Sequence, residues 1–168
     1  MIFVTVGNAK QPFSRLIRAV ADLRVGGDLP DLPVLVQSGH TPPVPAPGLQ
    51  YEAFLPLDRF TGVVREADVV ISHAGAGTLI HLFQAGRVPI VMARRASEGE
   101  HVDDHQVELA NALAEEGRVL VVGGRSELLT AFHRVRAAGT RGTRPAGSRM
   151  LDLVRSDLEA FSARRSRN

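Results

Sequence analysis

The sequence predicts an α/β protein built as a Rossmann-like parallel sheet with helices on both faces and a further helix near the C-terminus. Three observations carry this prediction. Short apolar runs alternate with segments of helical periodicity through residue 137. The helical segments are long enough to serve as right-handed crossovers between parallel strands. Glycine or proline follows several of these segments, where the chain must turn.

Most of the predicted strands are short runs of apolar, largely β-branched residues. Most of these runs lack the polar alternation of a half-exposed strand, so they are typical of strands buried on both faces of a parallel sheet. The first run, IFVTV, begins directly after Met1. We predict six strands, at residues 2–6, 33–37, 51–55, 68–72, 88–92 and 119–122.

Each predicted helix carries apolar residues three and four positions apart, which places them on one face. The first helix contains such a face from Phe13 to Val20. The third is stopped by Gly86 and the fourth by Gly117, whereas Ser126 is a plausible N-cap for the fifth. We predict five helices, at residues 12–23, 57–66, 78–86, 103–116 and 126–137.

A change of composition near residue 138 divides the chain. We predict a sheet domain over residues 1–137, a linker over 138–147, and an amphipathic helix with a basic tail over 148–168. From residue 133 onward there are nine arginines and three acidic residues, although the whole chain carries a net charge of only +2. This basic part could pack on its own sheet, contact a partner or an anionic membrane, or remain solvated.

Composition excludes several classes of function. Aromatic residues make up 5% of the chain and tryptophan is absent, which disfavours a base-stacking nucleic-acid surface. The absence of cysteine excludes thiolate chemistry and agrees with a reducing compartment. The N-terminus lacks the features of a signal peptide, and no apolar run is long enough to span a membrane. We therefore expect a cytoplasmic protein that meets membranes only peripherally.

The sequence HAGAGT at residues 73–78 follows a predicted strand and opens a predicted helix. A strand that turns through small residues into a helix leaves backbone N–H groups unpaired, and it directs the positive end of the helix dipole at one spot. Such a spot suits a phosphate or diphosphate. An ordinary tight turn with nothing bound is the alternative, and this segment alone leaves both open.

Other polar residues follow the remaining strands. Gly7 and Asn8 come after the first strand, Ser38 after the second, and a long polar loop at 93–106 after the fifth. In a parallel sheet these strand ends lie at one edge, where ligands bind. Amides, hydroxyls, two arginines, carboxylates and imidazoles on one rim suit a phosphorylated, polyhydroxylated ligand.

Three other kinds of site are disfavoured. His101 and His105 have the spacing of a zinc pair, but Asp103 and Asp104 are better placed as the N-cap and first-turn acids of the next helix, so we expect no metal site. The HAGAG turn lacks the serine of a nucleophile elbow. A dinucleotide fingerprint is missing, because the first turn has a lone glycine and the second strand ends in glutamine.

Five ordered segments resemble the C-terminal domain of glycosyltransferase family 28. They are MIFVTVG, QPF, QSGH, ADVVISHAGAGT and GEHVDDHQ, at residues 1–7, 11–13, 37–40, 67–78 and 99–106. The resemblance covers roughly residues 1–130, and it is greatest to single-domain subunits that extend dolichol-linked glycans or exopolysaccharides. The ordered series is more specific than any one motif.

The resemblance implies the donor-binding half of a GT-B fold. It further implies a catalytic subunit of an inverting, metal-independent glycosyltransferase that needs no cofactor and takes a nucleotide-sugar donor, expected to be UDP-linked. The acceptor, a lipid-linked or polysaccharide glycan, would be bound by a membrane-attached partner subunit, and no residue of this chain is identified as the catalytic base.

Matched motifs assign the expected binding residues. Residues 73–78 would face the diphosphate with Gly7 and Asn8 beside them, while Asp104 and Gln106 would lie near the sugar. The nucleotide-sugar-binding residues expected on this basis are Gly7, Asn8, Ser38, His73, Ala74, Gly75, Ala76, Gly77, Thr78, His81, Glu100, His101, Asp104 and Gln106.

The chain departs from the family pattern at a few positions. Asn8 and Ala9 stand where Thr-His is usual, and Ser14 stands where Asp is frequent. His81 stands where a related enzyme has a glutamate that binds the ribose hydroxyls. A neutral imidazole cannot make the charged bidentate contact that a glutamate makes. These departures support an alternative, a non-catalytic nucleotide-sugar-binding module with a regulatory role.

Overall fold

The computed structural model describes residues 1–138, which form one six-stranded parallel sheet flanked by five helices. The strand order is β3-β2-β1-β4-β5-β6. The strands are β1 Ile2–Thr5, β2 Val34–Gln37, β3 Leu49–Glu52, β4 Val69–His73, β5 Ile90–Met92 and β6 Leu120–Val121. The helices are α1 Ser14–Val25, α2 Leu57–Glu66, α3 Ala76–Gln84, α4 His105–Glu115 and α5 Arg125–Ala138.

The core lies in two layers, one on each face of the sheet. On one face, Ile2 and Val4 of β1 pack with buried residues of α1 and α5, including Phe132. On the other, Phe3 packs with α2, α3 and α4 residues, and its ring meets that of Phe60 edge-on at 5.5 Å. Both faces of β1 are therefore buried, which is why its sequence is apolar without alternation.

The predicted sheet fold is confirmed, with six strands, crossover helices and parallel pairing throughout. Several boundaries differ. β3 begins at Leu49 because its pairing register with β2 starts there, whereas the sequence placed this strand at 51–55. Ser126 is not the N-cap of the last helix, since α5 begins at Arg125 and the Ser126 carbonyl accepts a hydrogen bond from the Thr130 hydroxyl within that helix.

Ala138 is the last described residue and belongs to α5. The rest of the predicted linker at 138–147 and the helix and basic tail at 148–168 lie outside the described residues. Within residues 1–138, none of the helices combines the length and apolar character needed to cross a bilayer.

Candidate functional site

The carboxyl ends of the parallel strands lie at one edge of the sheet, where three loops come into contact. The loop after β2 reaches the loop after β1 so closely that a Cβ on Gly39 would lie 2.3 Å from the Gly7 carbonyl oxygen. The His73 ring, at the end of β4, lies against the backbone of Gly7. The ends of β1, β2 and β4 thus form a single surface.

His73 organises this surface through its ring. A Cβ on Gly7 would lie 2.4 Å from His73 Nε2, and one on Gly75 would lie 2.2 Å from the same atom. Both distances are too short for any side chain. Gly7 also has a φ of +73°, a conformation that glycine adopts readily. The backbone on either side of the imidazole therefore carries no side chain.

The imidazole of His73 is neutral at physiological pH. Burial lowers its pKa to about 3, and the nearby positive charge of Arg94 adds to the effect. The residue is 7% exposed, and an interaction of the ring with the Thr5 backbone opposes only part of the lowering. The neutral ring is therefore a fixed part of this surface.

Helix α3 begins beside His73 and leaves its first amides open. Gly75 is the N-cap, and no side chain caps the helix. Gly77 in the first turn is exposed, and a Cβ built on it would meet nothing within 4 Å. The first-turn N–H groups and the positive end of the helix dipole together make an anion-binding position.

A chain of hydrogen bonds holds Asn8 at the rim. The Thr5 hydroxyl donates to Gln37 Oε1 at 2.6 Å, and Gln37 Nε2 donates to Asn8 Oδ1 at 3.1 Å. Thr5 Oγ1 accepts from the Gly7 N–H at 3.3 Å. Asn8 is exposed, whereas Ser38 beside Gln37 is buried and its backbone N–H donates to the Glu52 carbonyl. Gln37 thus connects β1 to β2 beneath the rim.

The loop after β5 contributes a second group of residues whose polar atoms contact other parts of the protein. Both oxygens of Glu100 accept from Arg15, at 3.1 and 2.8 Å, and one also accepts from the Arg95 N–H. Asp104 Oδ1 accepts from the Ala96 N–H at 2.8 Å. Gln106 is buried, and its side-chain oxygen accepts from the Arg94 N–H at 3.4 Å. Glu100 therefore connects this loop to α1.

Three side chains of this loop could hold a metal ion. Ligand atoms of His101, Asp103 and His105 all lie within 4.8 Å of one another, and His101 Nδ1 is 3.2 Å from Asp103 Oδ1. The sequence analysis expected no metal site and assigned Asp103 and Asp104 to the start of the helix. Asp104 is indeed the N-cap residue of α4, although no side chain caps the helix, whereas the Asp103 carboxylate contacts both imidazoles.

His81 lies on α3, where its ring meets the Phe60 ring of α2 at 6.2 Å between centroids. The structure therefore places this predicted ribose-binding residue in a helix–helix contact. The other predicted residues form two groups along the rim. One group contains Gly7, Asn8, Ser38 and residues 73–78, and the other contains Glu100, His101, Asp104 and Gln106.

Arg94 joins the two groups, although the sequence indicated only that it belonged to a polar rim loop. Its side chain is completely buried, and its guanidinium donates to the carbonyls of Val6, Gln11 and Glu100. This arginine closely follows a buried apolar strand, and that position could have indicated that its side chain is buried.

An open cavity of about 640 Å³ adjoins the rim on the side of α1 and α5. Its walls come from the start of α1, residues 98–100 and the turn before α5, and they include Arg15, Arg18 and Arg125. Residues 73–78 do not line it.

Comparison with known protein families identifies the family of this domain. The family model for the glycosyltransferase family 28 C-terminal domain matches residues 1–121, which include both groups of rim residues. The chain belongs to this family. The resemblance drawn from the five sequence motifs is thereby confirmed.

Curated relatives of this family 28 domain include proteins described as UDP-N-acetylglucosamine transferase subunit ALG13. The human protein is 30% identical over 144 residues, covering 77% of this chain and 12% of its own length. The protein from Cryptococcus neoformans var. neoformans is 37% identical over 75 residues, covering 44% of this chain and 36% of its own. The chain thus spans about a third or less of either relative.

Solved structures show the same fold at low sequence identity. The calicheamicin glycosyltransferase CalG4 has a TM-score of 0.58 at 18% identity, and 81% of this chain aligns with 33% of that one. MurG from Acinetobacter baumannii has a TM-score of 0.52 at 18% identity, with 91% of this chain aligned to 49% of that one. The family 28 domain therefore has the fold of one half of a GT-B glycosyltransferase.

Proposed function

We propose that this chain is the donor-binding catalytic subunit of a glycosyltransferase. It binds a UDP-linked sugar and transfers the sugar, with inversion and without a metal ion, to a lipid-linked or polysaccharide acceptor. A membrane-attached partner subunit supplies the acceptor-binding half. The relatives are described as UDP-N-acetylglucosamine transferase subunits, which supports both the choice of donor and the need for a partner.

One observation carries this proposal. The uncapped N-terminus of α3 and the Gly7 loop, which has no side chain at this point, lie on either side of the buried His73 ring. Backbone amides can approach a diphosphate closely at such a point, and the helix dipole favours negative charge there.

The reaction follows from this arrangement. An acceptor hydroxyl attacks the anomeric carbon from the face opposite the nucleotide, while the bond from that carbon to the diphosphate oxygen breaks. Negative charge develops on the departing diphosphate, where the α3 amides stabilise it. Oriented donors of this kind contribute about 3 kcal/mol each to transition-state stabilisation in other enzymes.

The proton of the acceptor hydroxyl has to leave through a base. With a pKa of about 3 and a buried ring, His73 is poorly suited to accept it near neutral pH. We assign the base to the partner subunit, which also explains why the chain acts only in the complex.

The packing of His81 favours a second candidate function, a nucleotide-sugar-binding module without turnover. A glutamate is usual at this position in the family, whereas His81 here lies edge-on to Phe60. Weaker ribose binding would reduce transfer more than it reduces diphosphate binding. Such a module would stabilise or regulate its partner.

Calorimetry and a transfer assay separate these functions. The purified chain is titrated with UDP, UDP-N-acetylglucosamine and uridine, with Gly75→Ala as the site variant and Gly62→Ala as a control in α2, where a Cβ meets nothing within 4 Å. We expect UDP to bind far more tightly than uridine, and only Gly75→Ala to abolish the difference.

The chain co-purified with its partner is then given donor and acceptor. Sugar transfer supports the enzyme, donor binding without transfer supports the module, and no binding contradicts both.

A further inference from the structure

Arg94 is the largest fully buried side chain among residues 1–138. It directly follows Ala93 at the end of β5, and its guanidinium lies 4.8 Å from the centroid of the Phe13 ring. Arginine side chains are rarely buried without a carboxylate partner, because removing the charge from water is costly. Its position beside the site therefore needs a physical explanation.

The guanidinium of Arg94 ties two rim loops together through backbone carbonyls. Its Nη2 donates to the Val6 carbonyl at 2.8 Å, next to Gly7. Its Nη1 donates to the carbonyls of Gln11 at 2.7 Å and Glu100 at 2.9 Å. One end of this network therefore lies in the β1–α1 loop and the other in the loop after β5.

No carboxylate forms an ion pair with Arg94 within residues 1–138, although the nearby negative charge of Glu100 partly opposes the lowering of the Arg94 pKa by burial. The carboxylate of Glu100 is directed to Arg15 and to the Arg95 N–H, and Arg94 contacts only the Glu100 backbone. Carbonyl oxygens satisfy hydrogen bonds but carry only partial charge. A positive charge that Glu100 offsets only in part consequently remains in the protein interior at the rim.

This charge acts on the surface that we assign to the donor. The Val6 carbonyl that Arg94 contacts adjoins Gly7, whose backbone lies against the His73 ring. The Arg94 charge accordingly adds to burial in lowering the pKa of that ring. An electrostatic field that disfavours an imidazolium favours an anion at the same place.

We propose that Arg94 is a positioning residue that clamps the β1–α1 loop to the loop after β5 and holds a buried positive charge beneath the donor diphosphate. This inference rests on the proposed function and extends it. The site then discriminates among ligands by their negative charge, with binding strengthening from nucleoside to monophosphate to diphosphate. The three carbonyl contacts keep the charge in place when no ligand is bound.

Variants at Arg94 are compared with a matched control elsewhere. Arg94→Met removes the charge with similar bulk, and Arg94→Lys keeps it. Arg24→Met is the control, since Arg24 also donates to loop carbonyls, those of Pro30 and Pro47, and lies in the last turn of α1. This turn is at the opposite edge of the sheet, because a crossover helix runs antiparallel to the strands. Thermal melts establish that each variant is folded.

Each folded variant is titrated with uridine, UMP and UDP. In Arg94→Met we expect UDP affinity to fall about tenfold while uridine affinity changes less than about twofold, the pattern for loss of one charge near the phosphates. Arg94→Lys should retain most of the preference for UDP, and Arg24→Met all of it. An equal loss of affinity for all three ligands in Arg94→Met would show a purely structural role and overturn the proposal.

A second measurement needs no ligand. Histidine ring NMR follows the titration of His73 in the wild type, Arg94→Met and Arg24→Met. We expect the His73 pKa to rise only when Arg94 is replaced by methionine, and an unchanged value would overturn the proposal. If the wild type binds none of the three ligands, the proposed donor fails, whereas the His73 titration still decides whether the Arg94 charge reaches this surface.

Discussion

The Nε2 atom of His73 lies 2.2 Å from where a Cβ on Gly75 would be. The His73 ring therefore packs between the end of β4 and the start of α3. The same ring packs against Gly7 in the loop after β1. Because the ring comes this close, the turn has no room for larger side chains. Substitutions in the turn should therefore disturb the packing.

Gly75→Ala should disrupt the site, whereas Gly77→Ala should not. The new methyl group at residue 75 collides with the imidazole, and we expect a loss of about 2 kcal/mol in the free energy of unfolding. At residue 77 the methyl group meets nothing, and alanine should stabilise α3 by up to about 1 kcal/mol. Chemical denaturation of both variants checks this contrast. Equal stabilities would contradict the packing of His73 described above.

His73 should make stability depend on pH. Its pKa is about 3 in the folded chain, whereas a free histidine side chain has a pKa of 6.5, so between these pH values the unfolded chain binds one more proton. Stability should therefore fall as pH drops below 6.5, by about 1.4 kcal/mol per pH unit from this residue.

The measurement is urea unfolding at several pH values between 7 and 5. His73→Gln should show a shallower slope than the wild type, while the exposed control His40→Gln should keep the wild-type slope. If the slope is the same with and without His73, the ring is not buried in its neutral form.

Glu100→Gln tests whether this carboxylate supports the loop or contacts the sugar. Both oxygens already accept hydrogen bonds from Arg15, so we expect the variant to lose about 2 kcal/mol of folding stability. The exposed neighbour Glu98 provides the control, and Glu98→Gln should change stability by less than about 0.5 kcal/mol. A Glu100→Gln chain with unchanged stability but weakened donor-sugar binding would instead assign Glu100 to the sugar.

Removal of metal ions should leave donor binding and transfer unchanged, because in the proposed mechanism the α3 amides stabilise the departing diphosphate without a metal ion. The assay compares UDP affinity and turnover of the complex before and after treatment with a chelator. Activity that disappears with the chelator and returns with zinc would contradict metal independence. It would direct attention to His101, Asp103 and His105, whose ligand atoms lie within 4.8 Å of one another.

Local patterns in the sequence were sufficient for the parallel sheet, the order of its elements, the turn at residues 73–78 and the family. Strand burial, helix periodicity and glycine stops act over a few residues, so they are visible in any short window. Boundaries were less well predicted, as β3 shows, because strand pairing sets them.

Contacts between distant segments could not be predicted in this way. Arg94 is separated from Val6 by 88 residues and Arg15 from Glu100 by 85, and both pairs meet because the strand order brings their loops to one edge. The position of their loop after the fifth predicted strand indicated only that two arginines lie at the rim. Burial, charge pairing and hydrogen-bond partners depend on which segments become neighbours, and folding of the whole sheet is what makes them neighbours.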